Sequence, residues 1–177
     1  MKRVFWLIVA VTICASSTAS AAKNEKSFYV KPQYTWLTKG YPDVSLGHRH
    51  GVGAELGFWY ALRDDLNLIV AADYAYYLKS TNKMHTIDLA LLGAYTIDAL
   101  KWVVSFPVGL GVRYYRLPTA SDKNKVDALL IGGVACDYRP SRSFSIGLEV
   151  KLTVNLAHFD IFPFALVSGL RINTYWE

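Results

Sequence analysis

The sequence predicts an all-β protein: a closed, antiparallel, eight-stranded up-and-down barrel that crosses a membrane on its strands, preceded by a signal peptide. Three observations predict it. First, apolar residues make up 53% of the chain, yet after residue 22 no stretch resembles the roughly 20 apolar residues a spanning helix needs. The best, Leu66 to Leu78, is short and carries Asn67 and Asp73. Second, the chain after residue 22 divides into long segments of strict two-residue alternation, the period of a strand whose side chains point to opposite faces. From Phe144 to Asn155 every even position is large and apolar and every odd position is small, polar or charged. A strand that crosses a bilayer at a tilt takes about 9–11 residues, and this segment has enough. Third, the aromatic residues, 14% of the chain, collect at the two ends of these segments with aliphatics between them.

Residues 1–22 read as a secretory signal: Lys2 and Arg3 at the start, an apolar core from Val4 to Ile13, and a small-residue cleavage pattern at Ala19-Ser20-Ala21 or Ser20-Ala21-Ala22. A lipid anchor on Cys14 is disfavoured by the bulky Ile13 before it. The mature chain is expected to begin at Ala22 or Lys23, and residues 23–177 form one barrel domain. It then holds only Cys136, which excludes an internal disulfide. Loss of Lys2 and Arg3 takes the formal net charge from +5 to +3, with no basic cluster to suggest a nucleic-acid partner.

The first strand, Phe28 to Trp36, opposes Phe28, Val30, Tyr34 and Trp36 to Tyr29, Lys31, Gln33 and Thr35. After a polar link from Lys39 to Arg49, the second sets Val52, Ala54, Leu56, Phe58 and Tyr60 against Gly51, Gly53, Glu55 and Gly57. Leu62-Arg63-Asp64-Asp65 is a tight turn. The third alternates Leu66, Leu68, Val70, Ala72, Tyr74, Tyr76 and Leu78 against Asn67, Ala71, Asp73 and Ala75. The fourth, beyond Lys79 to Met84, sets Ile87, Leu89, Leu91, Gly93, Tyr95 and Ile97 against Thr86, Asp88, Ala90, Ala94 and Thr96. After the turn Asp98 to Lys101, the fifth opposes Trp102, Val104, Phe106, Val108, Leu110, Val112 and Tyr114 to Ser105, Gly109, Gly111 and Arg113. A link from Arg116 to Lys125 leads to the sixth, where Val126, Ala128, Leu130, Val134 and Tyr138 oppose Asp127, Gly133, Ala135 and Asp137, with Leu129 and Ile131 also on the polar side. Arg139-Pro140-Ser141-Arg142 turns into the seventh, Phe144 to Asn155. Leu156 to Phe162 leads to the last, with Phe164, Leu166, Leu170, Ile172 and Trp176 against Ala165, Gly169, Arg171 and Asn173. Short turns alternate with longer links, the rhythm of periplasmic turns and external loops. Pro32 and Pro107 fall inside strands, where each removes a ladder donor, so a bulge or a lost hydrogen bond is expected at each.

The apolar faces are too continuous to be wrapped inside eight strands, whose interior is just wide enough for side chains. The aromatics mark two girdles: Phe28, Phe58, Tyr60, Trp102, Tyr138, Phe144 and Trp176 at the short-turn end, Tyr34, Trp36, Tyr74, Tyr76, Tyr114 and Phe164 at the other. Rings favour the headgroup level of a bilayer, so the apolar face is the lipid face. A β-sandwich core would not sort its aromatics by height.

At this point the chain resembles the small eight-stranded outer-membrane barrels of the OmpA transmembrane domain and OmpX kind. The more specific motif is C-terminal: Gly169, Ile172 and Trp176 within Gly169 to Trp176 resemble the signal such barrels present to the barrel-assembly machinery, with Thr174 in place of an apolar residue and Glu177 added after the aromatic. The resemblance implies a Gram-negative cell-envelope protein of the outer membrane, in contact with its lipid and lipopolysaccharide.

The polar face collects Lys31, Glu55, Asp73, Asp88, Arg113, Asp127, Glu149, Lys151 and Arg171. Charges in a narrow lumen must pair, because an unpaired buried charge is costly. Heights counted from the turns put Glu149 level with Arg171 and Arg113 level with Asp127. They put Lys31 near Arg171 and Glu55, and Lys151 across from Asp73. The expected function is structural, or binding through external loops, with a salt-bridged and plugged lumen. A narrow porin-like channel is the alternative, and an enzyme acting on outer-leaflet lipid comes third. His48, His50, His85 and His158 lie on or beside the external links, where surface histidines also collect. His158 is followed by Phe159 and Asp160 rather than by a serine, and Ser168 has no histidine beside it in sequence. No catalytic residue, metal ligand or cofactor site is assigned, and a monomer is expected.

Overall fold

The computed structural model describes residues 24–37, 50–77, 84–116, 124–156 and 164–176. Residues 1–23, the bulk of the longer links, His48, His158 and Glu177 lie outside them. Eight strands, β1 (Lys26–Leu37), β2 (His50–Ala61), β3 (Leu66–Tyr77), β4 (Met84–Ala99), β5 (Trp102–Arg116), β6 (Asn124–Ser141), β7 (Phe144–Asn155) and β8 (Phe164–Trp176), pair in sequence order. β8 closes on β1, so the sheet is a barrel with every neighbouring pair antiparallel.

The registers define the tilt. Stepping from Glu149 through Gly169, Gln33, Gly53, Ala75, Thr86 and Tyr115 reaches Lys125 on β6, whereas the β6 residue directly beside Glu149 is Ala135. The closure therefore slips by ten residues. For eight strands that is a tilt of about 40°, and a twelve-residue strand at about 3.4 Å per residue then rises roughly 30 Å, the thickness of a bilayer's hydrocarbon core.

The two faces are inverted relative to a water-soluble protein. Leu148 is 65% exposed, Val108 62% and Leu89 61%, while Lys31 and Glu55 are at 0%. The outward side chains have only lipid to meet. The lumen is not simply polar, however. Tyr29, Trp59, Ile69, Leu92, Leu129 and Ile131 pack into one inward apolar group. Leu37, Tyr77, Met84, Tyr115 and Ala165 form a second. Both lie at positions whose parity points inward, and they fill the space that the charged side chains leave.

Neither proline produces a bulge. The β1–β8 register is the same on both sides of Pro32, but no pairs form at Lys31 and Pro32; the β1–β2 ladder runs through both. Pro107 likewise interrupts β5–β6 pairing without shifting it, while β4–β5 stays continuous. A strand residue bonds to one neighbour only, so a proline costs rungs on one side. The register shift lies instead on β6, between Tyr138 and Ser141, around Pro140. It carries β6 past the expected turn to Ser141. The β4–β5 turn is the two-residue loop Leu100-Lys101, flanked by the pair Ala99 and Trp102. Leu100 has φ 61°, a left-handed conformation that two-residue hairpins usually assign to glycine or asparagine.

Candidate functional site in the barrel lumen

Alternation places Lys31 and Tyr29 of β1, Glu55 of β2, Asp137 of β6, Glu149 and Lys151 of β7 and Arg171 of β8 inside the barrel, each buried. They form one connected chain of charges. The Lys31 ammonium lies 2.9 Å from Glu55 Oε2 and donates to Glu149 Oε2 at 2.5 Å. Glu55 also accepts from Lys151 and, on its other oxygen, from the Tyr29 hydroxyl at 2.5 Å. Glu149 Oε1 lies 3.7 Å from Arg171 Nη1, an ion pair beyond hydrogen-bonding distance. Arg171 is held by Asp137 in a fork, through Nε at 3.1 Å and through Nη2. Its guanidinium lies 4.6 Å from the centre of the Trp59 ring. Two-pronged pairing and stacking on a ring suit a planar cation in a dry site.

A second set sits on β3, β4, β5 and β6. Arg113 grips Asp88 through Nε at 2.8 Å and Nη2 at 2.6 Å. Asp73, opposite Asp88 in register, accepts from the Gln33 amide, and Asp127 accepts from the Tyr115 hydroxyl. At the short-turn mouth Arg139 bridges to Glu25, Nη1 at 3.1 Å, and stacks 4.0 Å from the Tyr175 ring centre.

Of the pairs read off heights, Lys31 with Glu55 and Glu149 with Arg171 form, and two others are replaced. Arg113 bonds Asp88, not Asp127, although both lie directly beside it in register. Lys151 bonds Glu55 rather than Asp73. Asp137, the main anchor of Arg171, is absent from the charge set drawn from sequence, although its parity points inward. Tyr29, Gln33, Tyr115 and Trp59 are further members, and inward parity on a charged face was the signal that could have found them. Small voids occur among the described lumen residues. One, about 10 Å³, is lined by Glu55, Asp73, Asp88 and Lys151 among others. Another, about 20 Å³, lies at the short-turn mouth beside Ser27, Trp59, Arg139 and Tyr175. Each has room for about one water.

Gly169, Ile172 and Trp176 separate. Gly169 faces inward beside Glu149; a Cβ there would come 2.7 Å from the Lys31 side chain, so its lack of one clears the path of the lysine. Ile172 and Trp176 face outward, and Trp176 stacks against Phe58 with ring centres 6.1 Å apart.

No protein-family model and no curated protein matches the chain. Solved structures do. The attachment invasion locus protein Ail of Yersinia pestis is 11% identical with a TM-score of 0.63, covering 88% of this chain and all of its own. The N-terminal β-barrel domain of Pseudomonas aeruginosa OprF is 14% identical with a TM-score of 0.59, covering 87% and 98%. Neisserial surface protein A is 11% identical with a TM-score of 0.62, covering 85% and 94%. At these identities the likeness is one of fold: the chain has the fold of small eight-stranded transmembrane barrels.

Proposed function

We propose that this chain is an outer-membrane protein of a Gram-negative cell, exported by residues 1–22 and acting as a structural element or through binding by its external loops. The lumen is a plug, and the long links face outside. The observation that carries this reading is the connected chain from Asp137 through Arg171, Glu149, Lys31 and Glu55 to Lys151. A static structural role suits buried charges that pair with one another inside a narrow lumen. The fold likeness supports the location, and Gly169, Ile172 and Trp176 serve as the assembly signal.

Three experiments test it. The folded protein in the outer-membrane fraction should migrate differently on gels before and after boiling; soluble recovery with unchanged migration would overturn the barrel in the membrane. In planar bilayers the purified protein should pass no steady current. Steady currents would favour the narrow channel, for which the void at the short-turn mouth, beside Glu25, Asn67, Asp98 and Arg139, is the observation in hand. Lipid A profiles with and without the protein should be identical; loss of an acyl chain would make it an enzyme.

A further inference from the structure

The small void at the short-turn mouth meets two buried groups whose hydrogen bonds are unmade. Ser27 of β1 and Trp59 of β2 lie directly opposite each other in register, and both face inward. Ser27 is 2% exposed and Trp59 7%. Neither Ser27 Oγ nor Trp59 Nε1 has a hydrogen-bond partner among the described residues. Both residues line the same void of about 20 Å³. The other polar groups on its wall are occupied. Tyr175, beside Ser27 on β8, shares its hydroxyl with Ser145 at 2.9 Å, and Asn67 donates to Thr96 at 2.6 Å.

A strap closes the void at the turn end. Arg139 of β6 reaches past β7 and β8 to Glu25, the residue before β1, through Nη1 at 3.1 Å and through Nη2. Both ends are tied to backbone: the Ala61 N–H donates to the Glu25 carbonyl at 2.9 Å, and the Arg139 N–H donates to the Lys101 carbonyl at 2.7 Å. Glu25 and Arg139 line the void and are themselves 13% and 17% exposed, so the strap has one side on the void and the other on solvent. A buried indole N–H or hydroxyl is costly to leave unpaired. A single water answers both, taking the indole proton and exchanging a hydrogen bond with the hydroxyl. The void has room for one water and supplies the two partners that a buried water requires. An ion is not called for, because Glu25 and Arg139 already answer each other.

We infer that Ser27 and Trp59 hold one ordered water in this void and that the Glu25–Arg139 strap is its gate, setting how fast solvent at the short-turn end enters the lumen. The site needs only the described barrel; neither the side of the membrane that the short turns face nor a sealed lumen enters into it. NMR of the full barrel in phosphatidylcholine nanodiscs tests both halves. The Trp59 indole N–H should show a cross-peak to a bound water and exchange slowly with bulk solvent. Ser27→Val, which puts methyl groups in the place of the water, should abolish the cross-peak. Glu25→Gln and Arg139→Met should each speed exchange of the indole proton about tenfold, the scale on which a local opening responds to loss of a charge-assisted hydrogen bond. Arg63→Ala, on the β2–β3 turn away from the void, should leave the rate unchanged. A wild-type barrel without the cross-peak, or a cross-peak that survives Ser27→Val, would overturn the water site. Wild-type exchange in both strap variants would overturn the gate.

Discussion

Lys31→Met is the sharpest perturbation of the lumen. The ammonium forms close ion pairs with both Glu55 and Glu149, at 2.9 and 2.5 Å. Glu55 keeps Lys151 and the Tyr29 hydroxyl after the change. Glu149 keeps no hydrogen-bonded cation: Arg171's nearest nitrogen is 3.7 Å away with its hydrogen bonds to Asp137 and Ser105, and Lys151 acts on it only at longer range while bonding Glu55. The substitution thus strands one buried carboxylate. Removing one partner of a buried pair costs about 3–5 kcal/mol; the retained distant cations put the expected loss at about 3 kcal/mol. Adding Glu149→Gln removes the stranded charge and should recover most of that loss, because the amide needs no counterion. Urea unfolding of the reconstituted barrel, followed by tryptophan fluorescence and gel migration, measures both variants and their coupling. A single variant within about 1 kcal/mol of wild type, or a double variant no better than the single, would refute a network in which Lys31 neutralises Glu149.

Three further outcomes follow from the same geometry. Leu148→Arg puts a cation on the lipid face between the girdles and should cost about 2–4 kcal/mol, measured by the same unfolding; a smaller cost than an arginine at the girdle would place Leu148 away from lipid. Gly57→Ala sets a Cβ against the Tyr29 ring. It should cost about 1–3 kcal/mol by overpacking and move Tyr29 off Glu55, visible as a changed tyrosine hydroxyl environment by NMR. Leu100→Gly should raise stability by up to about 1 kcal/mol, since glycine adopts the left-handed conformation of Leu100 without strain; lower stability would mean that this exposed leucine contributes more at the membrane surface than its backbone costs.

Much of the architecture is legible from local chemistry. Parity along β7 separates Ile146, Leu148 and Val150 from Gly147, Glu149 and Lys151 without reference to any other strand. The same rule assigns a face to Asp137 and Tyr29. The prolines were legible as ladder defects, but whether the sheet bulges or drops rungs depends on which neighbour Pro32 and Pro107 point toward, a property of the pairing. The hydrogen bond between Tyr34 and His50 was not legible either, because the two are 16 residues apart and meet only once β1 and β2 are in register.

The sequence by itself determined the eight strands, their faces and the inversion of apolar and polar sides, because a two-residue period and the preference of rings for an interface act residue by residue. Counted heights paired Lys31 with Glu55 and Glu149 with Arg171; only the tertiary structure decided the other charge contacts. Arg113 has a carboxylate beside it on each neighbouring strand, Asp88 and Asp127, and side-chain packing inside the closed barrel selects Asp88. Lys31 of β1 reaches Glu149 of β7 past β8, and Arg171 of β8 reaches Asp137 of β6 past β7. A slip of ten residues around eight strands moves each strand by more than one residue relative to its neighbour, so heights counted along separate strands drift apart. Only closure brings them to one level.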